Sequence, residues 1–479
     1  MEPEPTNNDP PLPEPSYDDD LVDTAPVFLQ ENEAEEVQVD DSAPIEDEEM
    51  DTNMDTNMDM EFEGVAPGSS DQMLEGAEEE EGEVALPTLT LDGHRGPVYA
   101  MSLVSPSPGA YYLATGSGDD TAGLSSIDTA TGATKFETLP GHSESVAAVA
   151  FSKDQTLVAS CDYAGTISLW MKASDGLPPP PASPSTPDSP AAPTTYKLDR
   201  TLPPGPTDVE WVAWHPLGNV FSVGSTDGTV WMYLAKTGAV MQVFAGHDPD
   251  NGDGGGVTCG AFSNCGKNLL TGGGEGSFRI WNPKNGLARH VFKDGQDNCQ
   301  FTKGQVTCFH QNLGASKDIV AVGGNDGFVA LVHIPSKKTV GSGLHHSPEA
   351  GETSSVECLR FSPVNVVNGN LLASGGVDGN LKVFEIGVGG GNQSGLLRST
   401  ASHKSGGVTC LRWKETTGLD RAVYTGCADG KIRLWDVRPS TALVLKVFKG
   451  HEDMVLCLDV LDNVLVSGSD DHKIHVWAV

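Results

Sequence analysis

From residue 87 onward, apolar and polar positions alternate in short runs. Each run follows a turn built on Asp and Gly and ends near a large side chain. The copies read DDTAGLSS (119–126), YAGTISLW (163–170), TDGTVWMY (226–233), GEGSFRIW (274–281), NDGFVALV (325–332), VDGNLKVF (377–384), ADGKIRLW (428–435) and DDHKIHVW (470–477). Period-two alternation bounded by turn residues predicts short β-strands. The second residue of each copy falls at 120, 164, 227, 275, 326, 378, 429 and 471, giving spacings of 44, 63, 48, 51, 52, 51 and 42. A Gly-His or similar pair precedes several copies, at Gly93-His94, Gly141-His142, Gly246-His247, Ser402-His403 and Gly450-His451. A further strand follows each pair, as in VTCGAFS and VTCLRW.

One strand breaks its own pattern. In DVEWVAWHP (208–216), alternation puts Glu210 on the side of Val212 and Trp214. A carboxylate on an apolar face is costly unless it leaves the core or finds a positive partner.

Composition sets the first 86 residues apart. They hold 30 Asp and Glu with no Lys or Arg, and they repeat themselves at DTNMDTNMDM. The whole chain carries a net charge of −38, and the remaining residues account for only −8 of it. A segment so acidic and so poor in aromatics buries too little apolar surface to offset its ordering entropy. Residues 1–86 are therefore expected to be a disordered acidic tail, and 87–479 the folded domain. A Pro- and Ser-rich stretch at about 172–197 reads as a surface insertion, with shorter glycine-rich loops at 250–256 and 387–395.

The charge excludes a nucleic-acid backbone as a direct partner, because phosphate contacts need clustered Lys and Arg. No apolar run approaches the ~20 residues of a membrane span. No basic region followed by an apolar core marks a secretory signal. The nine cysteines fit free thiols in a reducing compartment. A cytoplasmic location is expected, with nuclear entry left open, and a monomer.

The repeat resembles the WD-repeat β-propeller, with ~40–45 residues per four-stranded blade and Gly-His…Trp-Asp signatures. Eight copies imply an all-β, eight-bladed propeller, with seven blades as the alternative. PTLTLDGH (87–94) would then supply the outer strand of the last blade and close the ring. In this family His, the turn Asp, a Ser or Thr, and Trp form a hydrogen-bonded set inside a blade. The resemblance thus implies structural sets at His247–Glu275–Trp281, with Glu for Asp, at His403–Asp429–Trp435 and at His451–Asp471–Trp477. His142 and Trp170 lack the acid, which is Ala164. Blade three lacks a matching His, and blade five lacks both His and Trp. Ser126 replaces Trp in blade one.

That irregularity argues against a repeated catalytic or metal site, and no metal or cofactor is expected. Cys259, Cys308, Cys358, Cys410 and Cys457 all sit two places after a strand-opening Val, which suits a packing niche for a small side chain. TGGGEG (271–276) lacks the Lys and helix of a phosphate loop. No nucleophile–base pair remains, so an enzyme is not expected.

The residue after each opening Val is Tyr99, Ala147, Glu210, Thr258, Thr307, Glu357, Thr409 and Leu456. In WD repeats this position lies on a bulge facing the mouth of the central channel, and a bulge re-aims its side chain. The resemblance therefore releases Glu210 from the core and places it at the mouth with Glu357. The position two before adds Asp208. The residue before each turn Asp adds Asp119 and Asp470, and the loops add Glu144, Glu452 and Asp453. These carboxylates would attract a cationic ligand.

DVEWVAWHP and SSVECL (354–359), behind an acidic leader, are similar to blades three and six of the angio-associated migratory cell protein family. The fungal member of that group is a ribosome-assembly chaperone. It caps the basic N-terminal segment of a large-subunit ribosomal protein of the L-sixteen, or L-ten, type. The resemblance implies that task here, with Glu210 and Glu357 as the positions carried over. The alternative is a multi-partner scaffold in signalling or migration, for which Tyr99 and Leu456 at the mouth leave room.

Overall fold

The computed structural model describes residues 82–479 except 130, 174–195, 204, 249–254, 297–299, 315–316, 346–353, 367–368, 388–395, 404–405, 415–420 and 439–440. The acidic tail up to residue 81, nearly all of the 172–197 insertion and most of the two glycine-rich loops lie outside the described residues.

Eight antiparallel sheets succeed one another along the chain, each one blade. The innermost strands of blades 1 to 8 are Val98–Ser107, Val146–Phe151, Val209–Trp214, Val257–Phe262, Val306–Gln311, Val356–Phe361, Val408–Trp413 and Val455–Leu461. Each packs beside the next, and that of blade 8 packs beside that of blade 1. The eight strands therefore form a closed ring around a central channel. The ring is closed as expected by Leu89–Leu91, which pairs antiparallel with Ile474–Ala478 in the last blade. The expected boundary at residue 86 moves. Glu83–Ala85, counted with the tail, adds a fifth strand parallel to Thr441–Phe448 of blade 7, in a register that sets Glu83 beside Lys446. Three residues are too few for alternation to show, yet an open sheet edge accepts them through backbone bonds alone.

No blade buries its apolar faces alone. The opening Val of every blade is essentially inaccessible, and the apolar clusters run across blade boundaries. One joins Leu157, Ile167 and Leu169 of blade 2 to Val209, Phe221 and Tyr233 of blade 3. Another joins Val466, Ile474 and Val476 of blade 8 to Val98, Leu103 and Leu113 of blade 1. Stacked sheets thus share one continuous core, as repeat architectures require.

Inside the blades the polar sets largely match expectation. In blade 4, His247 Nδ1 donates to Glu275 at 2.7 Å and its Nε2 meets Thr271 Oγ1 at 2.7 Å. Trp281 Nε1 donates to the same Thr271 oxygen at 2.7 Å. Burial alone would raise the Glu275 carboxyl, but the His247 hydrogen bond and charge hold it down at about 2. In blade 8, His451 contacts Asp471 at 2.9 Å and Ser467 at 2.7 Å, while buried Trp477 has no partner for Nε1 among the described residues.

Four details differ. In blade 7, Arg433 comes between His403 and Asp429. It forks onto the carboxylate at 2.8 and 3.3 Å and donates to His403 Nδ1 at 2.9 Å. A bidentate guanidinium outcompetes a single imidazole N–H for that carboxylate. In blade 2, Ala164 is bypassed, because Asp162 accepts from His142 at 3.1 Å. In blade 5, Thr302 Oγ1 takes the place of His and donates to Asp326 at 2.7 Å. In blade 1, the turn acid is Asp119 and not Asp120. Asp120 occupies the left-handed position (φ 63°) held by Gly228, Gly276 and Gly430 in other blades. The position of the missing Trp is accordingly Ser125, ten residues after Thr115 as Trp281 is after Thr271. Phe136 fills the space, its ring 5.2 Å from His94 in an edge-to-face contact.

The His403 site makes stability depend on pH. Burial, and then the Arg433 charge, lower its pKa from 6.5 to about 3, with Asp429 opposing. The unfolded chain takes up a proton below pH 6.5, and the folded site does so only near pH 3. Stability is therefore full above pH 6.5 and falls as the pH drops through that window. The loss from this group is about 2 kcal/mol at pH 5. Urea unfolding at pH 7 and pH 5 checks it, and His403→Gln should flatten the difference. Equal slopes in the two proteins would contradict the assignment.

Candidate functional site

The same bulge recurs in every innermost strand. Pairing slips by one residue between Val98 and Ala100, Val209 and Trp211, Val257 and Cys259, Val306 and Cys308, Val356 and Cys358, and likewise in the other three blades. The extra residue is the one after the opening Val. A second repeated bond fixes the ring around it. The residue before each turn acid donates its N–H to the carbonyl just before the opening Val. Examples are Tyr163 to Ser145, Thr226 to Asp208, Val377 to Ser355 and Asp470 to Met454. These three positions therefore ring one end of the channel, eight times over.

At three bulges the side chain is a threonine turned sideways. Thr258, Thr307 and Thr409 each donate to the opening-Val carbonyl of the following blade. Glu210 and Glu357 are too long for that bond, and both are exposed. Among the described residues no hydrogen bond or ion pair holds either carboxylate. Glu210 leaves the apolar face through the bulge. Trp211 behind it turns inward, where other blades carry Cys or Ala. A Cβ on Gly260 or Gly224 would stand 2.0 or 2.2 Å from its ring, so only glycine leaves it room. Its Nε1 donates to Val257 O at 3.1 Å.

Around Glu210 the mouth is acidic and aromatic. Asp208 is exposed, in a left-handed conformation (φ 49°) clamped between Tyr163 and Thr226 by backbone bonds. Loss of water on its flanks, and then the Asp208 charge, raise the Glu210 carboxyl above the ordinary range. Burial, then Glu210, Tyr99 and Asp208, likewise raise the Tyr163 hydroxyl. Tyr99 and Tyr163 remain 40% and 36% exposed, so Tyr99, Tyr163, Asp208 and Glu210 form one accessible cluster over blades 1 to 3. Tyr163 escaped sequence reasoning because Ala164 hid its turn. The rule that found Asp470 would have found it.

The other candidates divide. Glu357 stands on the bulge of blade 6, and half-buried Asp470 on the ring in blade 8. Glu144 and Asp453 are exposed in the loops, and Glu452 is ion-paired with Lys473 at 3.2 Å. Asp119 leaves the set. As the turn acid of blade 1 it accepts from Arg95 N at 2.7 Å and Thr121 Oγ1 at 2.6 Å and contacts His94 at 3.3 Å. The outer loops are also of mixed sign. Arg95, Ser143, Lys303 and Glu452 occupy one equivalent position, each donating its backbone N–H to the turn carboxylate. Inspecting that position in the sequence would have shown the two cations.

The five aligned cysteines are free thiols. Burial raises them all, Cys259 to about 12, so they are packing groups and poor nucleophiles. Spacing had shown no histidine cluster, but His451, Asp471 and His475 bring ligand atoms within 4.8 Å of one another. His451 spends both nitrogens in its blade, and His475 Nδ1 meets Thr90 of the closing strand at 2.9 Å.

The family model of the WD domain, G-beta repeat, matches residues 86–124, 134–171, 197–233, 238–282, 345–385, 394–436 and 443–478. The chain belongs to the WD-repeat family. The unmatched interval holds blade 5, whose His and Trp are absent, so seven matches accompany eight WD-repeat blades. The chain is 29% identical to the human angio-associated migratory cell protein over 350 residues, 71% of this chain and 69% of that protein. Saccharomyces cerevisiae Sqt1 superposes with a TM-score of 0.65 at 18% identity, covering 83% of this chain and 99% of Sqt1. Chaetomium thermophilum Sqt1, solved bound to the N-terminus of the ribosomal protein L10, gives 0.64 at 20% identity, covering 83% and 100%. The WD-repeat propeller is a binding scaffold, and the His, Asp and Cys groups that suggest chemistry are engaged in blade structure here.

Proposed function

We propose that this protein is a chaperone of large-ribosomal-subunit assembly. It holds the basic N-terminal segment of a newly made ribosomal protein of the L-sixteen, or L-ten, type on the acidic mouth of its propeller. The observation that carries this reading is the cluster of Tyr99, Tyr163, Asp208 and Glu210, whose carboxylates are exposed at the channel mouth, with Glu357 on the same ring. The likeness to an Sqt1 solved with the N-terminus of L10 supports it.

The physics suits the task. A basic extension meant for RNA binds polyanions indiscriminately until it is covered. Free carboxylates offer it charge-assisted, often bidentate contacts, and exposed tyrosines offer faces for guanidinium groups. Rim pairs contribute about 0–1 kcal/mol each, so capture is reversible.

Placement can be tested directly. A photo-crosslinking phenylalanine is set at Tyr99 and, in a second protein, at Leu217 in the loop at the opposite end of the blades. A synthetic peptide of the ribosomal protein's basic N-terminal segment is the probe. The Tyr99 position should crosslink to it and the Leu217 position should not. Crosslinking confined to Leu217, or equal at both, would overturn the reading.

A further inference from the structure

Four residues into each innermost strand, counted from the opening Val, the side chain is half-buried in all eight blades. These residues are Ser102, Ala150, Ala213, Ala261, His310, Arg360, Arg412 and Asp459. They line the channel one layer inside the mouth. Four consecutive blades contribute small groups, and the next four contribute His, Arg, Arg and Asp. The ring is thus open on one side and cationic on the other.

The polar members are unequally satisfied. Asp459 accepts from Leu103 N at 3.1 Å and from Arg412 Nε at 3.2 Å. Arg412 also donates to Leu411 O at 3.0 Å. His310 Nδ1 accepts from Phe361 N at 3.2 Å, so its hydrogen lies on Nε2 and the ring is a neutral donor. The Arg360 guanidinium has no hydrogen bond or ion pair among the described residues. The group that most affects it is Arg412, a like charge. One aspartate serves two arginines and is committed to one of them. A guanidinium half out of water, beside another cation and sharing its one acidic neighbour, Asp459, with that cation, is costly.

We propose that Arg360 and Arg412, with the His310 Nε2–H, form an oxyanion site inside the channel. The small residues Ser102, Ala150, Ala213 and Ala261 leave space opposite them. Two planar forks on neighbouring strands match the oxygens of phosphate or carboxylate, and a neutral N–H completes the set. Burial, then the Arg360 and Arg412 charges, hold His310 well below its ordinary range, so it stays neutral at physiological pH. The mouth and the channel then have opposite signs, and a bound chain reads both.

The probes are inorganic phosphate and acetate, with chloride at matched ionic strength as reference and the full chain as receptor. Phosphate should raise the thermal midpoint of the wild type above the chloride reference. Arg360→Gln should abolish that rise and weaken phosphate binding at least about tenfold. In the absence of anion Arg360→Gln should melt no lower than wild type, because it removes an unpaired charge. Stabilisation by acetate and not phosphate would keep the oxyanion site and assign its source to a carboxylate of a bound chain. Equilibrium dialysis of phosphate against the wild type needs no variant. No anion effect beyond chloride, or an equal effect in Arg360→Gln, would overturn the proposal. A wild type that binds phosphate but not the basic peptide would leave this site standing and sink the chaperone reading alone.

Discussion

Reversing Glu210 and Glu357 together, as Glu210→Lys/Glu357→Lys, weakens capture of the basic peptide about a hundredfold. Each reversal removes one attraction and adds one repulsion, each about 0.5–1 kcal/mol at a partly screened site. Two reversals then amount to about 2.7 kcal/mol, and 1.4 kcal/mol is a factor of ten in affinity. The single Glu210→Lys should cost more than Glu357→Lys, because Asp208, Tyr99 and Tyr163 surround Glu210. Both side chains are exposed and unpaired among the described residues, so neither change disturbs the fold. Glu452→Lys is the matched control. Its carboxylate already pairs with Lys473, and reversal should move affinity by less than about threefold. Fluorescence anisotropy with the labelled peptide measures the four variants against the wild type. A double reversal that binds like wild type would make the mouth bystander charge and favour the scaffold reading.

The largest stability effect is expected at Trp281. Trp281→Ala should cost about 3–5 kcal/mol in urea unfolding. The indole is 2% exposed and packs between Phe244, at 5.7 Å, and the Arg279 guanidinium, at 5.8 Å. Its N–H shares the Thr271 oxygen with His247, so truncation also opens the polar set that holds Glu275. Trp281→Phe keeps most of the apolar contact and loses the bond, and should cost about half as much. A loss below about 1 kcal/mol for Trp281→Ala would mean that blade 4 is held by its neighbours alone. Peptide capture at the mouth should survive both changes once the protein is folded.

Most of the ring could be read from the chain because the repeat states itself eight times. The bulge after each opening Val, the closing strand at Leu89–Leu91 and the Thr271 hub follow from position within a blade, and position is visible in spacing. What spacing hid was side-chain reach. Asp162 replaces the acid lost at Ala164 from two residues away. Arg433 crosses to take Asp429 from His403. Arg360 and Arg412 meet because equivalent residues of neighbouring blades face one channel. Blade 1 misled by one residue because Asp119 and Asp120 are both carboxylates. Only the backbone shows that Asp120 holds the left-handed position glycine fills elsewhere, which removes Asp119 from the mouth. Strand Glu83–Ala85 is invisible in the pattern because an edge supplies its order.

In the proposed function, free carboxylates at the channel mouth hold a basic segment. The wild-type isotherm for the N-terminal peptide, taken at about 50 mM and about 300 mM salt, tests it most directly. Binding that is tight at low salt and falls at least tenfold at high salt is the predicted result. Absent binding, or binding indifferent to salt, would contradict the account.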